Sequence, residues 1–426
     1  MKKMKDQNVK GTQDYLPEAE LVRRDIRRTL EEVFSLYGCK PLETPILHYT
    51  ELLASKYGGG SEILKEMYTL TDRGNRDLSL RYDLTIPFAK VVAMNPAIRL
   101  PFKRYEIGKV FRDGPIKTGR LREFTQCDVD IAGVDSVLAE AELMKMAADV
   151  FQRLDLDVKI QLNNRKLLTG LLEDFEIPME KRNPVILILD KLEKAGRQGV
   201  TKELEELGLT DSAAESITHF LNAGSFNYFL PFAEQNDQIK QGLEEMKELE
   251  TYLSVLGIKE QCVFNPYLAR GLDIYTGTIY EIFLADRTIT SSIGSGGRYD
   301  QAIGGLLGTS QTFSTVGISF GLDVIFNAVQ QKKELSSAAS YIDYYIIPIG
   351  TRKEAFAAAA DLRDKGFKVE MEMRPKKLAK SLDYANKANV RNVVIIGEEE
   401  VKNSYFKVKD MMTGEERNVS FSFTSL

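Results

Sequence analysis

Residues 101–122, PFKRYEIGKVFRDGPIKTGRLR, predict two antiparallel strands joined by a loop. The first strand ends at Arg112, a loop rich in glycine, proline and lysine follows, and the second strand begins at Leu121. Seven lysines and arginines occur in this stretch against two carboxylates. Such a hairpin suits the binding of phosphates by its fixed arginines and of a nucleic-acid end by its tip. A solvated basic loop also explains the composition.

Further β-rich segments on both sides of the hairpin predict the rest of a sheet. They are separated by turns or helices without a regular βαβ alternation, which favours mostly antiparallel pairing. An amphipathic helix precedes them, starting at Pro17 and stopping at Gly38. The predicted strands are residues 66–70, 77–85, 102–112, 122–132, 157–163, 262–266, 275–284 and 287–293.

The chain changes character twice after this sheet begins. Residues from about 175 to 255 are charged and helical, which predicts a helical insertion in a first domain of residues 1–328. Residues 329–340 are polar and small, as in a linker. From 341 to 426 strands alternate with short helices and end in a hairpin that turns near Thr413-Gly414, which predicts a small α/β domain with a largely parallel sheet. The predicted fold is thus an α+β domain followed by a small α/β domain.

Composition excludes several classes of protein. The 426 residues carry a net charge of −5 and are 43% hydrophobic, which is typical of a globular protein of two or three domains. No apolar run approaches the ~18 residues that span a bilayer, and we expect a cytoplasmic protein without a membrane segment. Three scattered cysteines indicate no disulfide framework. With only two histidines and no paired cysteines, we expect no metal site made of protein side chains.

Two short segments place polar residues at alternate positions of predicted strands. By the period of two, Gln126, Asp128 and Asp130 share one face, and so do Arg81, Asp83 and Thr85. Carboxylates and an amide on one face can bind the ammonium and a polar side chain of a small zwitterion. Exposure of these faces to solvent is the alternative interpretation.

Residues 269–281, ARGLDIYTGTIYE, place Arg270 beside a glycine just before an alternating run. A guanidinium is planar, keeps its charge and can bind a phosphate through two hydrogen bonds. Arg270 therefore suits phosphoryl or adenylyl chemistry. A surface or ion-paired arginine is the simpler alternative for this residue alone.

Together, these motifs resemble one family over nearly the whole chain. RYDLT, the F-R-loop-R hairpin, FTQCDVDIAG, ARGLDIYTGTIYE and GGRYD are similar to the histidyl-tRNA synthetases, which are class II aminoacyl-tRNA synthetases. The resemblance implies the class II antiparallel sheet and a C-terminal anticodon-binding domain. It also implies ATP with Mg²⁺, L-histidine and tRNA(His) as ligands, and a homodimer.

The resemblance further implies roles for individual residues. Arg112 and Arg270 would bind the α-phosphate of ATP, and Arg120 and Arg122 would contact ATP or the acceptor end of the tRNA. The contacts to histidine would be Asp83, Thr85 and Gln126 for the ammonium and carboxylate, and Asp130 and Tyr275 for the imidazole. The basic patch of the anticodon domain would be Arg374, Lys376, Lys377, Lys380, Lys387 and Arg391, with only Asp383 as a counter-charge.

The chain departs from the family pattern in its third motif. Val324 occupies the position of the usual arginine that supports the adenine, and Asp323 that of the usual glutamate. Two alternatives to a synthetase therefore remain. One is a non-catalytic paralogue that acts as regulatory subunit of ATP phosphoribosyltransferase in histidine biosynthesis, which typically lacks the C-terminal domain. The other is a histidine- or tRNA-sensing binding module.

Overall fold

The computed structural model describes residues 6–54, 64–116, 121–269, 274–309, 312–333 and 340–421. The chain divides into two compact units, Met1–Gln331 and Lys332–Leu426. Each unit has its own sheet and its own buried core.

The first unit is built around a large sheet. Among the described residues, eight strands form it in the order β1-β5-β6-β11-β10-β9-β7-β8, and β2, β4 and β3 form a small second sheet. Only the pairs β1–β5 and β7–β8 of the large sheet are parallel in this part of the chain, so the predicted mostly antiparallel sheet is confirmed. The strands are β1 (Lys40–Pro41), β2 (Leu47–Tyr49), β3 (Thr69–Thr71), β4 (Asp77–Leu80), β5 (Phe102–Phe111), β6 (Glu123–Ala132), β7 (Val158–Asn164), β8 (Cys262–Phe264), β9 (Thr278–Leu284), β10 (Gly294–Arg298) and β11 (Thr315–Gly321).

Helices cover one face of the large sheet, and a further group of helices between β7 and β8 shares the same core. That group, α6 to α9, occupies the region where the sequence predicts a helical insertion. The helices are α1 (Pro17–Leu36), α2 (Thr50–Leu53), α3 (Thr85–Met94), α4 (Leu138–Arg153), α5 (Arg165–Asp174), α6 (Met179–Leu189), α7 (Leu192–Glu206), α8 (Asp211–Ala223), α9 (Asp237–Val255), α10 (Ala302–Leu306) and α11 (Leu322–Lys333), with 3₁₀ turns at Phe226–Glu234 and Lys259–Gln261.

The alternation in β6 orients the large sheet. Cys127, Val129 and Ile131 are buried in the main core together with residues of α1 and α4. Because side chains alternate along a strand, the polar residues between them project from the opposite face. One face of the sheet is therefore apolar and covered by helices, and the other is polar and available for a site.

One predicted strand is wrong in its second half, and another is wrong over its whole length. The run at 77–85 stops at Leu80, residues 81–84 form a turn, and Thr85 begins α3, so Arg81, Asp83 and Thr85 do not share a strand face. The physical reason is a local cap, since the Asp83 carboxylate accepts a hydrogen bond from the Ile86 amide at 3.1 Å. Residues 287–293 form bends and turns, and the strand begins at Gly294.

The second unit is a five-stranded sheet with helices. Its order is β13-β12-β14-β15-β16, with β12 parallel to β13 and β14 and the remaining pairs antiparallel. The predicted largely parallel sheet is thus only half parallel, because the predicted hairpin at Thr413-Gly414 joins the sheet through β14. The elements are β12 (Tyr344–Pro348), α12 (Arg352–Asp364), β13 (Val369–Met371), α13 (Leu378–Lys387), β14 (Asn392–Ile396), α14 (Glu398–Lys402), β15 (Tyr405–Asp410) and β16 (Glu416–Ser420).

A buried carboxylate joins three elements of the first unit. Asp323 on α11 lies 2.5 Å from Arg23 Nη1 on α1, and it accepts hydrogen bonds from the Thr125 amide on β6 at 2.8 Å and from the Tyr15 hydroxyl. Arg23 and Asp323 are both 4% exposed. Removal of Asp323 would leave the buried Arg23 with only the more distant and exposed Glu20, 3.5 Å from its Nε, as a carboxylate partner.

We expect Asp323→Ala to lower the free energy of unfolding by about 3–5 kcal/mol, because it removes the close buried partner of Arg23 and the acceptor of the Thr125 amide and the Tyr15 hydroxyl. Urea denaturation of both proteins measures the difference. The matched control is Asp25→Ala, which removes the exposed pair with Arg28 and should cost less than about 1 kcal/mol. Equal losses in the two variants would contradict this account of Asp323.

Candidate active site

The polar face of the sheet brings three strands together around β6. Strand register places Arg104 of β5 and Gly317 of β11 directly opposite Asp130, and places Glu106 and Ser319 opposite Asp128. Opposed residues of neighbouring strands project from the same face. The interpretation of these positions as solvent-exposed is wrong for both aspartates, which are 3% exposed.

Asp130 is held by donors from two directions. Its Oδ2 lies 2.5 Å from Nη2 of Arg104, and its Oδ1 accepts a hydrogen bond from the Tyr299 hydroxyl. Burial raises the pKa of Asp130, while Arg104 and the bond from Tyr299 oppose the rise. Burial also raises the pKa of Tyr299 well above its ordinary value, so this phenol keeps its proton and donates.

Gly317 makes the position of Asp130 possible. A Cβ at residue 317 would lie 2.0 Å from Asp130 Oδ1, which is far inside contact distance. The carboxylate therefore leans across the adjacent strand and reaches the Tyr299 hydroxyl only because this strand position has no side chain.

Gln126 and Asp128 present acceptors without partners. Gln126 donates from Nε2 to Ser319 Oγ at 2.7 Å, which turns its Oε1 the other way. Within the described part of the chain, Gln126 Oε1 and Asp128 Oδ1 are buried and have no hydrogen-bond partner. Burial raises the pKa of Asp128 to about 8, with Arg104 opposing the shift. Two such acceptors on one strand suit a ligand that donates several hydrogen bonds, such as an ammonium.

The turn of residues 81–84 brings Asp83 and Arg112 to the same region. Arg112 donates from Nε to the Tyr82 carbonyl at 3.1 Å and lies over the rings of Tyr82 and Phe124, 4.2 and 5.1 Å from their centroids. Burial raises the pKa of the Asp83 carboxyl, and the charge of Arg112 opposes this rise. Thr85, as the first residue of α3, directly follows the turn.

Arg270 and Arg120 lie outside the described residues. Hydrogen bonds hold the backbone of the two residues before Arg270. The Leu268 carbonyl accepts from the Asn163 side-chain amide at 2.9 Å, and the Ala269 amide donates to the Asp190 carboxylate at 3.1 Å. After this segment, the Thr276 amide donates to Arg298 O at 2.8 Å, which places Tyr275 beside the end of β10. A Cβ at Gly297 would lie 2.8 Å from the Tyr275 ring, so this glycine makes room for it.

Arg122 lies at the base of the hairpin. Its guanidinium pairs with Asp113 at 2.8 Å, and its amide donates to Gly11 O at 2.8 Å. Gly11 has a φ of +86°, and a Cβ there would lie 2.6 Å from Arg122 Cγ, so both its conformation and its contact require glycine. Arg122 is half-buried, and its carbonyl accepts from the Arg112 amide at 2.8 Å.

The basic patch of the second unit has more counter-charges than the sequence predicts. Lys376 pairs with Glu372, Lys387 with Asp383 at 2.8 Å, and Arg391 with Asp410 at 2.9 Å. Asp383 is therefore not the only counter-charge, because the fold brings carboxylates from β13 and β15 alongside. Arg374, Lys377 and Lys380 make no ion pair with any residue that the structure describes.

Sequence reasoning missed Arg104 and Tyr299 as residues of this site. Arg104 was counted with a basic loop, although its position on β5 puts it opposite Asp130. Tyr299 stands in the GGRYD motif, but nothing in the motif states which strand it meets. The sequence does predict a strand that contains Arg104, observed as Phe102–Phe111. The residue of β6 that Arg104 faces depends on the strand register.

Val324 is half-buried and packs against the main core. Asp323 beside it is engaged by Arg23, Tyr15 and Thr125, as described above.

Across the described ranges, no three His, Cys, Asp or Glu side chains are grouped so that they could hold a metal ion. In the same ranges, none of the helices is both long and apolar enough to cross a membrane.

Comparison with known proteins identifies the family. A family model of histidyl-tRNA synthetases matches residues 11–325, and one of the anticodon-binding domain matches residues 343–425. The chain is 58% identical over 426 residues to histidine–tRNA ligase 2 of Shouchella clausii strain KSM-K16, covering 99% of this chain and 100% of that protein. It is 55% identical over 425 residues to histidine–tRNA ligase 1 of Bacillus anthracis, covering 99% of each.

A solved structure shows the same similarity. The histidyl-tRNA synthetase from Nostoc sp. PCC 7120 superposes with a TM-score of 0.82 at 27% identity, covering 98% of this chain and 97% of that one. The family resemblance and the anticodon-binding domain that the sequence predicts are both confirmed. On these matches, which extend over both units, the chain belongs to the histidyl-tRNA synthetase family.

Proposed function

We propose that this chain activates L-histidine with ATP and transfers the histidyl group to tRNA(His). The observation that carries the proposal is the full-length match to histidine–tRNA ligases, with a synthetase domain and an anticodon-binding domain in the same order. The polar sheet face supports it, because unpartnered acceptors of Gln126 and Asp128 lie on the same strand as the paired Asp130.

In the first step, a carboxylate oxygen of histidine attacks the α-phosphorus of ATP. A bond forms between that oxygen and phosphorus, and diphosphate leaves. Arg112 and Arg270 stabilise the negative charge that grows on the α-phosphate. In the second step, a ribose hydroxyl at the end of the tRNA attacks the acyl carbon, and AMP leaves. Arg120 and Arg122 bind ATP or this end of the tRNA.

The amino acid is held by residues of the sheet and the adjacent turn. Asp83, Thr85 and Gln126 bind its ammonium and carboxylate, and Asp130 and Tyr275 face the imidazole. Oδ1 of Asp130 accepts from Tyr299, whereas Oδ2 is ion-paired with Arg104 at 2.5 Å but accepts no hydrogen bond from the described residues. Oδ2 is therefore able to accept a ring N–H. An amino acid without a ring N–H leaves that buried carboxylate without its additional donor, which favours histidine without editing.

Mg²⁺ would accompany the phosphates of ATP. This ion prefers near-octahedral oxygen ligands and usually binds through substrate phosphates, waters and one or two carboxylates. A dedicated cage of protein side chains is therefore unnecessary. When bound, the ion neutralises charge on the phosphates.

The regulatory paralogue is the weaker candidate. It typically lacks the C-terminal domain, whereas residues 343–425 of this chain match the anticodon-binding family.

We also infer a cytoplasmic enzyme, since Cys39, Cys127 and Cys262 are free thiols in the structure.

We further propose a homodimer, because the small sheet presents an apolar face. Leu47, Tyr49 and Leu70 are 43, 52 and 41% exposed, and the strand register places them on one side. The opposite side carries His48 and Ser79, which are buried. A second copy of the chain, related by a two-fold axis, would cover this face.

We expect Leu70→Glu to convert the protein to a monomer, because dimerisation would bury the new carboxylate in the interface between the two copies. Sedimentation velocity at micromolar protein gives the mass directly. Thr71→Glu is the control, since residue 71 lies on the same strand with its side chain on the other side. A monomeric wild-type protein, or a dimer that tolerates both variants, would rule out this interface.

Arg270→Ala should reduce histidine-dependent exchange of diphosphate into ATP about a hundredfold or more. Loss of one charge-stabilising contact in a transition state costs roughly 3 kcal/mol. Arg28→Ala, an exposed arginine on α1, is the control and should exchange normally. Exchange at the wild-type rate in Arg270→Ala would end the assignment of this residue, and no exchange by the wild type would end the proposed function.

Removal of residues 341–426 should preserve histidine activation and strongly reduce the charging of tRNA(His). The first unit has its own core, and the exposed cations Arg374, Lys377 and Lys380 lie in the removed part. Diphosphate exchange and aminoacylation, measured on the same preparations, separate the two steps. Normal charging by the truncated protein would contradict the role of the second unit.

A further inference from the structure

Arg104 is a buried guanidinium with contacts to two separate parts of the proposed histidine pocket. Its exposed fraction is 0%, and it lies on β5 directly opposite Asp130. Nη2 is 2.5 Å from Asp130 Oδ2 and donates a hydrogen bond to the Leu84 carbonyl at 3.0 Å. One terminal nitrogen therefore contacts both the carboxylate on β6 and the turn of residues 81–84 that carries Asp83.

The other surroundings of Arg104 leave Asp130 as its main counter-charge. Glu106 Oε2 lies 3.8 Å from Arg104 Nη1, but Oε1 of the same carboxylate lies closer to Arg81 Nη1, at 2.7 Å, and to the Thr44 hydroxyl, at 2.8 Å. The guanidinium lies over the Phe88 ring, 4.5 Å from its centroid. Arg104 Nε and Nη1 have no hydrogen-bond partner within the part of the chain that the structure describes. The negative charges of Asp128 and Glu106 also act on Arg104, but Asp130 is its closest carboxylate. A buried cation with so few donor contacts depends strongly on that closest partner.

The reverse dependence also holds. Asp130 is buried, and only Arg104 among the residues closest to it carries a full positive charge. Without that cation, the carboxylate would take up a proton or move toward water, since a lone buried charge is costly. Tyr299 is a neutral donor and cannot replace the charge.

We propose that Arg104 is a positioning residue for histidine selection: it fixes the Asp130 carboxylate and the Asp83 turn in one mutual geometry. This inference rests on the proposed function, since it takes Asp130 and Asp83 as contacts of the amino acid. Arg104 itself acts through these residues. A lysine in its place offers a point charge without the planar fork and cannot reproduce both contacts.

The test compares Arg104→Met, Arg104→Lys, Asp130→Asn and the double variant Arg104→Met/Asp130→Asn in diphosphate exchange. We expect Arg104→Met to raise the KM for histidine about ten- to a hundredfold, with the KM for ATP changed less than about threefold. Arg104→Lys should fall between wild type and Arg104→Met. The double variant should lose no more than the worse single variant, because residues that act as a unit are non-additive.

Arg23→Met is the matched control, since Arg23 is also a buried arginine of the first unit whose carboxylate partner, Asp323, lies on another element. It should lower the melting temperature while the KM for histidine stays within about threefold of wild type. The rise in melting temperature caused by saturating histidine gives a readout without catalysis, and it should shrink in Arg104→Met and persist in Arg23→Met.

An unchanged KM for histidine in Arg104→Met, equal changes in the KM values for histidine and ATP, or additive losses in the double variant would each overturn the proposal. If Arg104→Met does not fold, Arg104→Lys and Asp130→Asn decide by the same criteria. Failure of the proposed function is a different result, because the wild-type protein itself would then show no histidine-dependent exchange.

Discussion

The buried ion pair between Arg104 and Asp130 is the interaction around which the site is organised. Taking two charges out of water costs several kcal/mol per ion, so such a pair persists only with close partners. Here the partners come from β5, β6, the Tyr299 segment and the turn before α3. Gly317 adds a steric condition, since any side chain there would displace the carboxylate. Burial of the Arg104–Asp130 pair thus costs free energy, but it fixes the positions of the acceptors on the polar face.

The opposite face of the same strand supplies the stability that this centre lacks. Cys127, Val129 and Ile131 are buried against helices, so β6 is held by its apolar residues while its polar residues face the site. The alternation of polar and apolar residues from Gln126 to Ile131 allows a single strand to serve both purposes. Gln126 Oε1 and Asp128 Oδ1 are buried without a hydrogen-bond partner among the described residues. A ligand with several donors bound there would offset the free-energy cost of burying these two oxygens.

The sequence was sufficient to orient β6 because polar and apolar residues alternate from Gln126 to Ile131. It was insufficient at residues 81–85, because five alternating residues also fit a turn, and the Asp83 cap with Ile86 decides in favour of the turn. Arg104 was missed because its role depends on strand register across the sheet, which no local pattern states. The same limit applies to Gly317, to the ion pairs of Lys376 and Arg391, and to the antiparallel pairing of β14 with β15.

The central claim is that the polar face of β6 is the histidine pocket and that Asp130, held by Arg104, reads the imidazole. A crystal structure of the protein with histidine bound tests this most directly. The account predicts a ring N–H within about 3 Å of an Asp130 carboxylate oxygen and the ammonium at the same distance from Gln126 Oε1. Histidine bound elsewhere, with no ring nitrogen within hydrogen-bond distance of Asp130, would contradict it.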